Sequence, residues 1–166
     1  MKELFIVRHA KSSWSDPGLR DFDRPLNGRG RAAAPEMGRR LAAQGILPDL
    51  LLSSPANRAI STARLIAEKL RYPQAGIAED EELYHASALE ILNILRRQPE
   101  GIGSLMIFGH NPGFTDFASE LTGVMIDNVP TAGVVAVDLS LDTWEALSFG
   151  SGSLRFFDYP KKERGV

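Results

Sequence analysis

Leu4-Phe5-Ile6-Val7-Arg8-His9-Ala10-Lys11-Ser12-Ser13-Trp14 is an apolar run that ends abruptly in an arginine and a histidine. Consecutive apolar residues, two of them β-branched, predict a strand covered on both faces, as in the middle of a parallel sheet. In such open α/β sheets ligands gather where strands end and loops begin. Arg8 offers a planar fork of donors matched to phosphate, and His9 can act as nucleophile or proton carrier near neutral pH. A surface Arg-His pair closing a strand is the plainer alternative, and the dipeptide alone does not decide between them.

The same arrangement recurs twice. Asp49-Leu50-Leu51-Leu52-Ser53 reads as a second buried strand, followed by Ser54-Pro55-Ala56-Asn57-Arg58 and a helix over about 59–70 with Ile60, Ala63, Ala67 and Leu70 on one face. Arg58 then stands at a helix N-terminus, where free amides and the helix dipole favour an anion. Ser104-Leu105-Met106-Ile107-Phe108-Gly109 reads as a third strand, ending in His110-Asn111-Pro112-Gly113 and leading into a helix stopped at Gly123. Two of the three histidines in the chain, His9 and His110, thus directly follow buried strands.

The connecting segments are less distinctive. Residues 15–26 are rich in Pro, Gly and charge and predict a surface loop. Asn27-Gly28-Arg29-Gly30 introduces a helical segment with Ala34, Met37 and Leu41 inward and Gly45 as its stop; Pro35 fits if the regular helix begins near Ala34 and otherwise should kink it. Glu79-Asp80-Glu81-Glu82 predicts a solvated edge, and Ser87 with Glu90 forms a capping box ahead of a helix over 88–97. Strands over 133–139 and 145–149 are expected to form a hairpin, and the basic tail from Pro160 is expected to be loose.

Composition narrows the classes. At 166 residues the chain suits a single domain spanning 1–166, and 43% hydrophobic with 24% charged residues is ordinary globular usage. A net charge of −2 gives no global pull toward nucleic acid or an anionic membrane. The absence of cysteine suits a reducing compartment, and neither a signal peptide nor a membrane span is apparent, so a cytoplasmic location is expected. No metal-ligand spacing is evident, and no metal or cofactor is expected.

Arg8-His9-Ala10-Lys11, Ser53-Ser54-Pro55 with Arg58, Arg24-Pro25-Leu26 and Gly109-His110-Asn111-Pro112-Gly113 together resemble the histidine phosphatase (phosphoglycerate mutase-like) superfamily, and within it the small SixA-like phosphohistidine phosphatases. Ala10 stands where the family usually has glycine, and Ser15 where the mutases commonly carry a phosphate-contacting asparagine. The resemblance implies a three-layer α/β/α fold with a mainly parallel central sheet, and a metal-independent phosphatase working through a covalent phosphohistidine. His9 would be the nucleophile, with Arg8, Arg58 and a protonated His110 stabilising the transferring phosphoryl group.

In mutase-like members a glutamate supplies the leaving-group proton. The corresponding place here reads Leu83-Tyr84-His85, leaving His85 or Glu82 as possible acids. A phosphoramidate leaves readily once its nitrogen is protonated, whereas an alkyl ester needs an acid at oxygen. The missing glutamate therefore points to phosphohistidine in a protein, such as a histidine-phosphotransfer domain. A small phosphorylated metabolite, and a catalytically weak phosphoprotein-binding module, are the alternatives. Ser15, Arg24, Asn111 and Thr131 complete the expected pocket.

Overall fold

A computed structural model of the chain describes residues 1–162. The organising stretch is strand β1 (Lys2–Arg8), with Leu4 to Val7 fully buried. Next come helix α1 (Gly28–Ala43), strand β2 (Leu50–Ser53), helix α2 (Asn57–Leu70), the two-residue strand β3 (Ala78–Glu79) and helix α3 (Ala88–Arg96). Strand β4 (Ser104–Gly109), helix α4 (Gly113–Thr122) and strands β5 (Val134–Leu139) and β6 (Gly152–Asp158) complete the order. The strands form one sheet in the order β3-β2-β4-β1-β5-β6. Neighbours from β3 to β1 run parallel, and β5 and β6 are added antiparallel at one side.

Alternation along the central strands sends successive side chains to opposite faces, so each strand serves two cores. Phe5, Val7, Met106, Phe108 and Val134 pack with α1 and α2 residues such as Met37, Leu41, Ala63 and Ile66. Leu4, Ile6, Leu105, Ile107 and Val135 pack with α3 and α4 residues such as Ile91, Leu95, Phe117 and Leu121. This is the expected three-layer α/β/α arrangement. Burial on both faces explains why β1 and β4 lack an alternating polar pattern.

Several local expectations hold. Ser87 and Glu90 form a reciprocal capping box at α3, and Gly123, with φ of 71°, ends α4 in the left-handed conformation. Two others need correction. α1 begins at Gly28 rather than near Ala34, because the Asn27 side chain caps it by accepting from the Gly30 amide; the helix then runs through Pro35. The second strand of the terminal hairpin is Gly152–Asp158, not 145–149. Trp144 is fully buried and its indole donates to the Ile102 carbonyl (2.7 Å), which draws 144–147 onto the α3 side of the sheet as a short 3₁₀ turn. Of the tail, Pro160 to Lys162 follow β6, and Arg40 donates to the carbonyls of Tyr159 and Pro160; 163–166 lie outside the described residues. Among the described residues no helix is long and apolar enough to cross a membrane.

Candidate active site

Register brings the two strand-end histidines together. β1 and β4 pair with Arg8 opposite Gly109, and the His9 amide donates to the Gly109 carbonyl (2.9 Å). His9 and His110, a hundred residues apart in sequence, therefore lie side by side with ring centroids 5.3 Å apart. β2 pairs on the other side of β4, which places Ser54 beside His110, with Oγ 2.8 Å from His110 Nε2. α2 starts from the same edge and carries the buried Arg58.

The protonation of His9 follows from its neighbour. Nδ1 lies 2.7 Å from the Ala10 carbonyl oxygen, which can only accept, so Nδ1 carries the proton and Nε2 keeps its lone pair. The ring is 8% exposed. Burial lowers its pKa to about 4, the Ala10 bond opposes that shift, and the cations Arg58, Arg8 and Arg24 add to it. His9 is therefore neutral at pH 7. His110 is also lowered, first by burial and then by His9, Arg58 and His85, with Asp21 acting the other way. The lowered pKa makes the neutral ring the favoured form of His110 at pH 7, whereas the resemblance implies a protonated His110 beside a transferring phosphoryl group. Ser54 Oγ accepts from the Ala56 amide and shares a hydrogen bond with His110 Nε2, while His110 Nδ1 is buried without a partner.

Backbone contacts hold the cationic groups in place. Arg8 Nη1 donates to the Val129 carbonyl (3.0 Å), while its buried Nε has no partner. Burial and the nearby Arg58 lower the Arg8 pKa, as befits cations forced together. Thr62 links α2 to the nucleophile loop: its Oγ1 accepts from the Ala10 amide (2.9 Å) and donates to the Arg58 carbonyl (2.7 Å). On the far side, the Ala132 amide donates to the carbonyls of Arg8 (3.1 Å) and His9 (3.0 Å). Ala132 does so at φ of 61°, a left-handed conformation that costs a non-glycine residue roughly 1 kcal/mol.

Sequence reasoning missed Asp21. Its Oδ2 accepts from Arg58 Nη2 (2.9 Å) and Tyr84 Oη (2.6 Å) and lies 3.1 Å from His85 Nε2; Oδ1 accepts from Arg24 Nη1 (3.0 Å). Burial would raise this carboxyl, but the bonds from Tyr84, Arg58 and Arg24 outweigh it and hold the group well below the usual carboxylate range. The only signal in the sequence was an acidic residue three positions before Arg24, and Asp23 gave the same kind of signal.

A cavity of about 460 Å³ opens over these groups, lined by Arg8, His9, Lys11, Ser12, Ser13, Trp14, Ser15, Arg24, Asn27, Arg58 and Thr131. Ser15, Arg24 and Thr131 are thus on it. Arg24 is buried and stacks on the Trp14 ring, 3.3 Å from its centroid. Asn111 is not on the cavity: Nδ2 donates to Asn128 Oδ1 and the Val129 carbonyl, and Oδ1 accepts from Thr115, so it braces the loop that meets Arg8. Glu82 is not there either, since its exposed carboxylate pairs with Arg97. His85 does not line it either; its ring lies 5.2 Å from that of His110 and its Nε2 3.1 Å from Asp21 Oδ2. Among the described residues, no group of three or more acidic, histidine or cysteine side chains is arranged to hold a metal.

A neutral histidine with a free lone pair, set among arginines at the carboxyl ends of parallel strands, defines a phosphoryl-transfer site. Residues 4–88 match the model of the histidine phosphatase superfamily (branch 1), and the chain belongs to that superfamily. Within it the fold is SixA-like. The Agrobacterium tumefaciens protein assigned as the phosphohistidine phosphatase SixA superposes with a TM-score of 0.77 at 29% identity, covering 96% of this chain and 98% of that one. The protein histidine phosphatase SixA complexed with tungstate superposes at 0.81 with 24% identity, covering 95% and 97%. Among curated relatives, an uncharacterized chloroplastic protein of Arabidopsis thaliana is 32% identical over 87% of this chain and 69% of its own length.

Proposed function

We propose that this chain is a metal-independent phosphohistidine phosphatase in which His9 is the nucleophile. The observation that carries the reading is the 2.7 Å contact from His9 Nδ1 to the Ala10 carbonyl, which leaves Nε2 unprotonated on a ring kept neutral by burial. Nε2 attacks phosphorus in line, the bond to the substrate imidazole nitrogen breaks, and the departing ring takes a proton from water. Arg8 and Arg58 stabilise charge on the equatorial oxygens, with His110 beside His9 as a further polar group. Water then attacks the phosphohistidine, releasing phosphate and restoring His9. Arg24, Ser15 and Thr131 shape the entrance. The tungstate held by a SixA of the same fold, a tetrahedral oxyanion like phosphate, is consistent with this use of the cavity.

Substrate class follows from the missing acid. No carboxylate lines the cavity among the described residues, and Glu82 faces Arg97. A phosphoramidate tolerates that lack, because its leaving nitrogen is basic. We read the donor as a phosphohistidine in a cytoplasmic partner protein. One feature favours a second reading, a phosphatase of small phosphate esters: His85, paired with Asp21 and with its ring 5.2 Å from that of His110, is a candidate acid near the site.

The test is turnover of a phosphohistidine protein and a panel of phosphate esters by wild type and His9→Ala, with EDTA present. The expected result is phosphohistidine preference and a loss of at least about 10³-fold in the variant, as when a nucleophile is removed. Preferred ester turnover that depends on His85 establishes the second reading. Turnover that survives in His9→Ala removes the proposed nucleophile.

A further inference from the structure

A second cavity, about 280 Å³, adjoins the first and shares Lys11 and Thr131 with it. Its other charged walls are Arg29 and Lys161, and Tyr159 adds a phenol. No acidic side chain lines either cavity among the described residues. This is a marked asymmetry in a chain whose net charge is −2. Some cations have acidic partners, such as Arg40 with Asp158, Arg97 with Glu82 and Arg155 with Asp138 and Glu3. Lys11, Arg29 and Lys161, which come from a loop, a helix and the segment after β6, have none among the described residues and converge on one cavity.

The position of Arg29 is also unfavourable by itself. It occupies the first turn of α1, which carries no acidic residue, and a cation there opposes the helix dipole. Close packing holds that turn against the nucleophile loop. A Cβ on Gly30 would stand 2.1 Å from the Lys11 carbonyl oxygen, and the Asn27 amide donates to that same oxygen (2.9 Å). The backbone carrying Arg29 is therefore held close to the nucleophile loop, beside a cavity whose charged walls are all cationic.

We propose that this second cavity is an anionic subsite that receives a carboxylate side chain of the phosphoprotein whose phosphoryl group enters the first. The proposal rests on the reading of the substrate as a protein-borne phosphohistidine. The carboxylate supplies selection among phosphoproteins and takes no part in bond breaking. Two partly exposed charge pairs, each worth up to roughly fivefold, predict a discrimination of about three- to tenfold, weakening with salt.

The test measures binding to His9→Ala of fluorescent peptides carrying a stable phosphohistidine analogue, with a single glutamate or glutamine moved one residue at a time along both flanks. The same set is measured on His9→Ala with Arg29→Gln and Lys161→Gln added. A glutamate preference of about three- to tenfold at one flank position, lost in the combined variant, is the expected result. No preference, or one that survives in the combined variant, overturns the subsite. Pyrophosphate competing at least tenfold better than phosphate, without any glutamate preference, overturns the protein-borne source in favour of a small bis-anion. A parallel turnover assay with free phosphoramidate, which has no second anion, reports on the catalytic reading alone. Failure there counts against phosphohistidine hydrolysis while the peptide binding still decides the subsite.

Discussion

Burying His9 as a neutral ring has a thermodynamic consequence measurable without any substrate. Its pKa is about 4 in the folded protein against an ordinary value of 6.5. As pH falls below 6.5 the unfolded chain takes up this proton first, while the folded ring resists until pH approaches 4. The stabilisation is therefore complete above pH 6.5 and is lost as pH falls from 6.5 to about 4. A gap of about 2.5 pH units at 1.36 kcal/mol each gives about 3 kcal/mol, a large part of a typical folding free energy. Urea denaturation from about pH 7 to about pH 4, for wild type and His9→Asn, measures it. The variant is expected to lose about 3 kcal/mol less across this window. Its remaining acid sensitivity is partly due to His110, whose pKa is lowered by the same burial and neighbouring charges. Histidine ring signals followed by NMR should show His9 titrating well below 6.5, and bound inorganic phosphate should move that midpoint upward, since a nearby dianion favours the imidazolium. A His9 midpoint near 6.5, or an equal acid loss in wild type and variant, refutes the argument.

Three substitutions test the remaining geometry. Asp21→Asn removes a carboxylate that accepts from Arg58, Arg24 and Tyr84; discounted for its partial exposure, this should cost about 1–2 kcal/mol of stability and lower kcat/KM by roughly tenfold through a misplaced Arg58, read by thermal melting and steady-state kinetics. Glu82→Gln should change stability by no more than about 0.5 kcal/mol and leave turnover intact, because that exposed carboxylate faces Arg97; a large loss of kcat would return it to the role of acid. Gly30→Ala should destabilise by about 1–3 kcal/mol despite alanine's better helix propensity, because its Cβ would meet the Lys11 carbonyl at 2.1 Å, and should reduce turnover by shifting the loop after His9; unfolding curves and kcat decide it.

The fold was legible wherever a signal was local and strong. The apolar runs of β1 and β4 mark strands covered on both faces, the Ser87–Glu90 box marks the start of α3, and Gly123 marks the end of α4. Errors arose where a distant partner outweighed the local pattern. Trp144 takes 145–149 off the sheet by bonding to Ile102, and the Asn27 cap extends α1 ahead of a proline. β3 has only two residues and exists because β2 offers it an edge.

The candidate site divides along the same line. Residue type and position near strand ends made His9, His110, Arg8 and Arg58 candidates, and their joint placement together with the family resemblance singled them out. Which groups meet was decided by the register of β1 against β4 and of β4 against β2, which sets His9 on one side of His110 and Ser54 on the other. Protonation states were likewise tertiary: the neutral His9 depends on burial, its tautomer on the Ala10 carbonyl, and the neutral His110 on burial and then on neighbouring charge. Asp21 and Glu82 are both acidic residues in polar stretches, yet one ties together Arg58, Arg24, Tyr84 and His85 while the other faces Arg97. The sequence alone determined most of the strands and helices and the chemistry available at their ends, because those follow from side-chain type and local periodicity. Only the tertiary structure decided which of those groups face one another, and with what charge, because both depend on distances between residues far apart in the chain.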